Sequence, residues 1–166
     1  MSGGGGEQLR QVEVPGDYGA ISVTVINSFV IVVPVQETEI KGRFYWIEPG
    51  ETVIDPLNFA TAERSPDGIH QALTFGEMFW LFGQRTTEPW ITVPNNTVVG
   101  SQMQRFTGII FDRGSWEGTA DQVKDQLIVV DEEGGVFLIH NGQQRISRPD
   151  IEERIRKAIL KQKLYS

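Results

Sequence analysis

Asn141-Gly142 stands between two short runs of strand-forming residues, Val136 to His140 and Gln143 to Ile146. No other dipeptide signals a two-residue hairpin more strongly. The tight turn that matches strand twist needs positive φ at both central positions, which Asn and Gly tolerate. A third run, Gln126 to Val130, precedes them across Asp131-Glu132-Glu133-Gly134-Gly135. Together the runs predict a three-stranded antiparallel meander, and hence a chain whose core is built from sheets.

The upstream sequence reads the same way. Ile21 to Ile26 alternates Val and Ile with Ser, Thr and Asn, the period of a half-buried strand. Phe29-Val30-Ile31-Val32-Val33 has no polar face, which predicts a strand covered on both sides, ended or bulged at Pro34. Arg43 to Ile47 is a further strand. Glu48-Pro49-Gly50-Glu51 then predicts a type II turn leading into Thr52-Val53-Ile54, because Gly supplies φ > 0 at the second central position. Residues 55–71 lack a clear period and read as a long surface loop containing the turn Ser65-Pro66-Asp67-Gly68. Trp90 to Val93 and Met103 to Asp112 read as strands around Pro94-Asn95-Asn96 and Gly100, and 113–125 as a loop.

Thr74 to Arg85 carries helical signals. Phe75, Met78, Phe79 and Phe82 fall at i, i+3, i+4 and i+7, Thr74 and Glu77 make a capping box, and Gly83 occupies a C-cap position. Gly76 counts against a helix by about 1 kcal/mol, but start, period and stop agree on a short one. The stretch Leu73 to Gly83 loosely resembles a short helix-then-Phe-Gly segment of contractile phage tail sheath proteins. The resemblance is confined to those residues.

The C terminus predicts an amphipathic helix over 149–166. Asp150 and Glu153 form a capping box after Pro149, acids lie in the first turn and bases fill the rest, as the helix dipole favours. Ile151, Ile155, Ala158 and Ile159 make one apolar stripe; Leu160 and Leu164 lie on the opposite side. The N terminus is the reverse case. Gly3-Gly4-Gly5-Gly6 loses more backbone freedom on ordering than any other such run, roughly 1–2 kcal/mol per residue. Residues 1–19 are therefore expected as a flexible arm that orders on a neighbouring subunit, 20–148 as the β-rich body, and 149–166 as the helix. The expected fold is mainly β, a single-domain sandwich or small barrel with one short internal helix and the C-terminal one.

At 166 residues the chain fits one domain and can bury roughly 70% of its unfolded surface. It has no cysteine, which removes disulfides, thiolate metal sites and thiol nucleophiles, and fits synthesis in a reducing cytoplasm. No apolar run is long enough to span a membrane, and the first residues lack a signal-peptide pattern. Net charge is −7. From Asp150 to Ser166 five bases (Arg154, Arg156, Lys157, Lys161, Lys163) face three acids (Asp150, Glu152, Glu153), a surplus of +2 that leaves −9 on the rest. An acidic body argues against binding nucleic-acid phosphates directly.

Catalytic and cofactor motifs are missing: the sequence has no phosphate-binding glycine loop and no nucleophile elbow. The two histidines, His70 and His140, stand at no diagnostic spacing from a nucleophile or acid, and Asp131-Glu132-Glu133 lacks the pattern of a calcium loop. No catalytic, metal or cofactor residue is assigned. What stands out is aromatic and two-sided. Phe44-Tyr45-Trp46 and Phe79-Trp80-Leu81-Phe82 cannot turn all their side chains to one core. Tyr45, Trp80, Leu160, Leu164 and the glycines Gly3 to Gly6 are therefore the expected contacts with other protein subunits. The sequence suggests a non-enzymatic structural subunit of a homo-oligomer or larger assembly, such as a phage head, connector or tail component. Two other readings differ in class. One is a β-sandwich module holding carbohydrate or peptide near Phe59, His70, Trp90 or Trp116; the other is a hydrolase pairing a histidine with a carboxylate.

Overall fold

The computed structural model describes residues 11–62, 67–93, 102–109, 111–139 and 142–166. Among the described residues twelve strands form three four-stranded antiparallel sheets, each in sequence order. Sheet I holds β1 (Ala20–Ile26), β2 (Phe29–Pro34), β3 (Arg43–Ile47) and β4 (Phe59–Thr61). Sheet II holds β5 (Gln71–Phe75), β6 (Met78–Phe82), β7 (Thr87–Thr92) and β8 (Met103–Arg105). Sheet III holds β9 (Asp121–Val123), β10 (Gln126–Val130), β11 (Val136–Ile139) and β12 (Gln143–Arg145), and α1 (Pro149–Tyr165) follows. The chain is mainly β with a C-terminal helix, as its sequence predicts.

Sheet II lies between the other two. Its face carrying Ala72, Phe79, Leu81, Trp90 and Met103 packs with Ile26, Ile31, Val33, Phe44 and Trp46 of sheet I. Its other face carries Trp80 and Phe82, which pack with Leu127, Val129, Phe137 and Ile139 of sheet III. At the centre of the first core the Phe44 ring stands edge-on to Phe79 and Trp90, at centroid distances of 5.6 and 5.0 Å. Such pairs add about 0.5–1.5 kcal/mol each beyond area burial. The two-sided aromatic run of β6 is thus an inner strand whose alternate residues feed two different cores.

The helix expected at Thr74 to Arg85 is instead the β5–β6 hairpin. Phe75 pairs with Met78 across the two-residue loop Gly76-Glu77, and Gly76 has φ +63. Glycine first with positive φ is the type II′ pattern that matches strand twist. The helical spacing arose because both faces of β6 are apolar, which erases the alternation that marks a half-buried strand. The segment resembling a sheath-protein helix is this hairpin. The one short helical element among the described residues is a 3-10 turn at Thr38–Ile40.

Other boundaries also move. Gly50 (φ +84) and the Glu51 N–H to Glu48 C=O bond of 3.0 Å form the expected turn. However, the strand after it is β4, not Thr52 to Ile54, so the expected 55–71 loop contains a strand. The 113–125 loop likewise ends in β9. The β1–β2 connection is a tight turn, with Asn27 and Ser28 both left-handed (φ 48 and 67). The meander forms as predicted, in register Leu138 to Gln144 and Leu127 to Ile139. Gly3 to Gly6, Ser65-Pro66, Pro94 to Asn96, Gly100, His140 and Asn141 lie outside the described residues.

Sheets I and II also meet through polar atoms. On β1 the alternation is inverted: Val23 and Val25 are exposed, whereas Ser22 and Thr24 face β5. Ser22 Oγ accepts the Ala72 N–H at 2.9 Å and Thr24 Oγ1 accepts the Thr74 N–H at 3.0 Å. Two side-chain hydroxyls thereby satisfy backbone donors on the β5 edge.

Candidate functional site

The residues expected at subunit contacts fall into two groups. Tyr45 and Trp80 are each 2% exposed. Tyr45 lies on the outer face of sheet I under Val14, Ile47 and Ile54, and Trp80 lies in the second core with its ring 5.5 Å from Phe111. Their surfaces are taken up within the chain, so the doubled aromatic faces reflect a stacked fold. Leu160 and Leu164 are 53% and 83% exposed, with Tyr165 beside them equally open.

Helix α1 is attached by an unusual set of contacts. Of the apolar stripe of α1 only Ile159 is buried; Ile151 and Ala158 are exposed and Ile155 half-buried. The attachment is largely polar. Glu152 is buried, and its Oε1 accepts hydrogen bonds from Arg145 Nε at 2.6 Å and Ser147 Oγ at 2.5 Å; Arg145 Nη2 closes a second ion-paired bond to Oε2. These donors hold the Glu152 carboxyl below the usual range and raise the Arg145 guanidinium, the hydrogen bond between them being the largest cause for each. Lys163 lies 4.9 Å from the Trp116 ring centroid and 3.6 Å from Glu132. The predicted capping box is not used: Arg148 is the N-cap, without a side-chain bond, and Pro149 opens the helix. The attachment uses the Glu152–Ile159–Lys163 side; Leu160 and Leu164, flanked by Lys157 and Lys161, lie about 100° round the helix from it and are left exposed.

A second open surface lies on the outer face of sheet I. Val14 to Tyr18, part of the segment expected as an arm, folds on that face and buries Val14 against Val32 and Tyr45. Between this segment and Val53-Ile54-Pro56 runs a groove of about 300 Å³, lined also by Val12, Glu13 and Asp17. A hollow of about 250 Å³ adjoins it at Val53, lined by Glu48, Glu51 and Asp55. Among the described residues five acids and no base line the two, and Val53 and Leu57 beside them are 66% and 81% exposed. Sequence inspection missed this surface, because its acids come from segments about 35 residues apart.

The histidine cavity is the third feature. His70 borders a cleft of about 540 Å³ with Gln36, Asp67, Gln84 and Glu117. Both His70 ring nitrogens are buried without a hydrogen-bond partner among the described residues. The histidine–carboxylate bond that a hydrolase would use is therefore not formed at His70. Of the tryptophans expected to line a ligand patch, Trp90 is in the first core, and Trp116 is half-buried beneath Lys163. Phe59 carries the Arg43 guanidinium 4.3 Å above its ring. Asp131 is buried within its own turn, accepting the Gly135 N–H at 2.7 Å and pairing with Arg113 at 2.9 Å. Among the described residues no three His, Asp or Glu are grouped to hold a metal ion, and no helix is long and apolar enough to cross a membrane.

Compared with known proteins, the chain matches no protein-family model and no curated sequence.

Proposed function

We propose that this chain is a non-enzymatic structural subunit that associates with further copies of itself. A head, connector or tail component of a viral particle is the kind of assembly this reading has in view. The observation that carries it is the outward side of α1. Leu160 and Leu164 are left exposed on a helix that the body already holds by the Glu152–Ile159–Lys163 side. An exposed leucine pair is explained when a partner covers it, as contiguous apolar surface marks interaction sites. The test is solution mass by light scattering over a concentration series. Association to multiples of the 18.6 kDa chain supports the reading. A mass fixed at the monomer overturns it.

A second reading, a ligand-binding module, is favoured by His70. Two buried imidazole nitrogens without a partner among the described residues, beside a mixed polar and apolar cleft, are costly unless something hydrogen-bonds them. Sugars and short peptides present suitable donors and acceptors. Shifts of the His70 ring resonances on titration with a mixed oligosaccharide or peptide panel support this reading; unchanged resonances throughout refute it.

A further inference from the structure

The two open surfaces described above are opposite in charge and lie at opposite ends of the sheet stack. On α1, Lys157, Leu160, Lys161 and Leu164 fall on one side of the helix by their 100° spacing, together with Glu153, which pairs with Lys157 at 3.0 Å and leaves that side with one surplus positive charge. The groove on sheet I is valine and proline bordered by Glu13, Asp17, Glu48, Glu51 and Asp55. Sheets I and III are separated by sheet II, and α1 is fastened to sheet III through Arg145 and the β10–β11 turn. Within one chain the helix surface therefore cannot reach the groove.

We infer that the Leu160–Leu164 side of α1 docks into the acidic groove between Val12–Asp17 and Val53–Pro56 of a second copy. This rests on the assembly reading and names its contact. The apolar side chains of helix and groove cover one another, while Lys161, and Lys157 on exchanging Glu153 for a rim partner, meet the rim carboxylates. A patch that meets a different patch is a heterologous contact. The contacting pair then retains one unused helix and one unused groove, so association propagates into a ring or a filament rather than stopping at a symmetric dimer. The same charges make it salt-sensitive, since rim pairs are screened within about 8 Å at physiological ionic strength.

Mixing two interface variants tests the pairing. L160E/L164E disables the helix and leaves the groove; E13K/E51K reverses part of the groove rim and leaves the helix. Both change exposed side chains, and circular dichroism checks that each folds. Each alone is expected to be monomeric, or weakened by at least about tenfold in association. An equimolar mixture is expected to associate again, because the intact helix of one variant meets the intact groove of the other. If the wild-type chain assembles and L160E/L164E assembles equally well, the contact lies elsewhere; the inference fails while the assembly reading stands. If both variants are monomers and the mixture also stays monomeric, helix-to-groove pairing is wrong. A monomeric wild-type chain overturns both.

Discussion

Arg145 on β12 holds Glu152 in the first turn of α1 with two guanidinium N–H groups on two carboxylate oxygens, and Ser147 Oγ donates a third bond to the same carboxylate. The helix therefore hangs from an ion pair. Little apolar area supports it, since Ile159 is its one buried hydrophobic residue.

Acid should loosen this attachment. The Glu152 carboxyl has a lowered folded-state pKa, so the unfolded chain binds more protons wherever the two states differ. Its contribution is complete above the ordinary glutamate value of about 4.3 and is lost as pH falls through the lower folded value. Protection of the α1 backbone amides, taken relative to the intrinsic exchange rate at each pH, should fall at acidic pH before that of the sheets. Glu152→Gln should show the reduced protection at neutral pH as well, and lose its pH dependence.

Gly134 fixes where the helix crosses the β10–β11 turn. Its φ is +88, and a Cβ there would collide with the Glu152 carbonyl and lie 2.9 Å from the Arg156 nitrogen. Gly134→Ala should destabilise the fold by about 1–3 kcal/mol, the cost of a non-glycine residue in a strained backbone region. Urea unfolding monitored by far-ultraviolet circular dichroism reads this directly. A change within about 0.5 kcal/mol, the range of an ordinary surface substitution, would show that the crossing is looser than described.

Trp80 and Leu160 separate folding from assembly. Trp80→Ala empties part of the second core and should cost about 3–5 kcal/mol of stability. Leu160→Ala removes a half-exposed side chain and should change stability by less than about 0.5 kcal/mol while lowering association. Thermal unfolding of the two variants, beside their solution masses, checks the contrast.

The hydroxyls of Ser22 and Thr24 join sheets I and II. Thr24→Val keeps the shape and removes the acceptor for the Thr74 N–H, with an expected cost of about 1 kcal/mol. Amide exchange at Thr74 should quicken in this variant, and exchange at Leu81, inside sheet II, should not.

Much of the fold is legible in the residues. The Phe29 to Val33 run, the Gln126 to Arg145 meander and the C-terminal helix all announce themselves by composition and period. The β5–β6 hairpin hides because β6 is apolar on both faces, so its period of two is invisible and aromatic spacing imitates a helix. Gly76 was the discriminating residue, as its positive φ suits a turn and weakens a helix. The Ile stripe misleads for the opposite reason: a polar anchor, Arg145–Glu152, sets the rotation of α1 and leaves Ile151 and Ala158 outside. Leu160 and Leu164 could be singled out from helical spacing alone. The groove facing them could not, because it exists only once residues 11–17 and 48–56 are folded onto one face.

The most direct test of the account is the mass of the wild-type chain by multi-angle light scattering, at low salt and at about 0.5 M salt. The account predicts species larger than the 18.6 kDa monomer that grow with concentration and shrink at high salt. A single 18.6 kDa species at every concentration and both salt levels would contradict it.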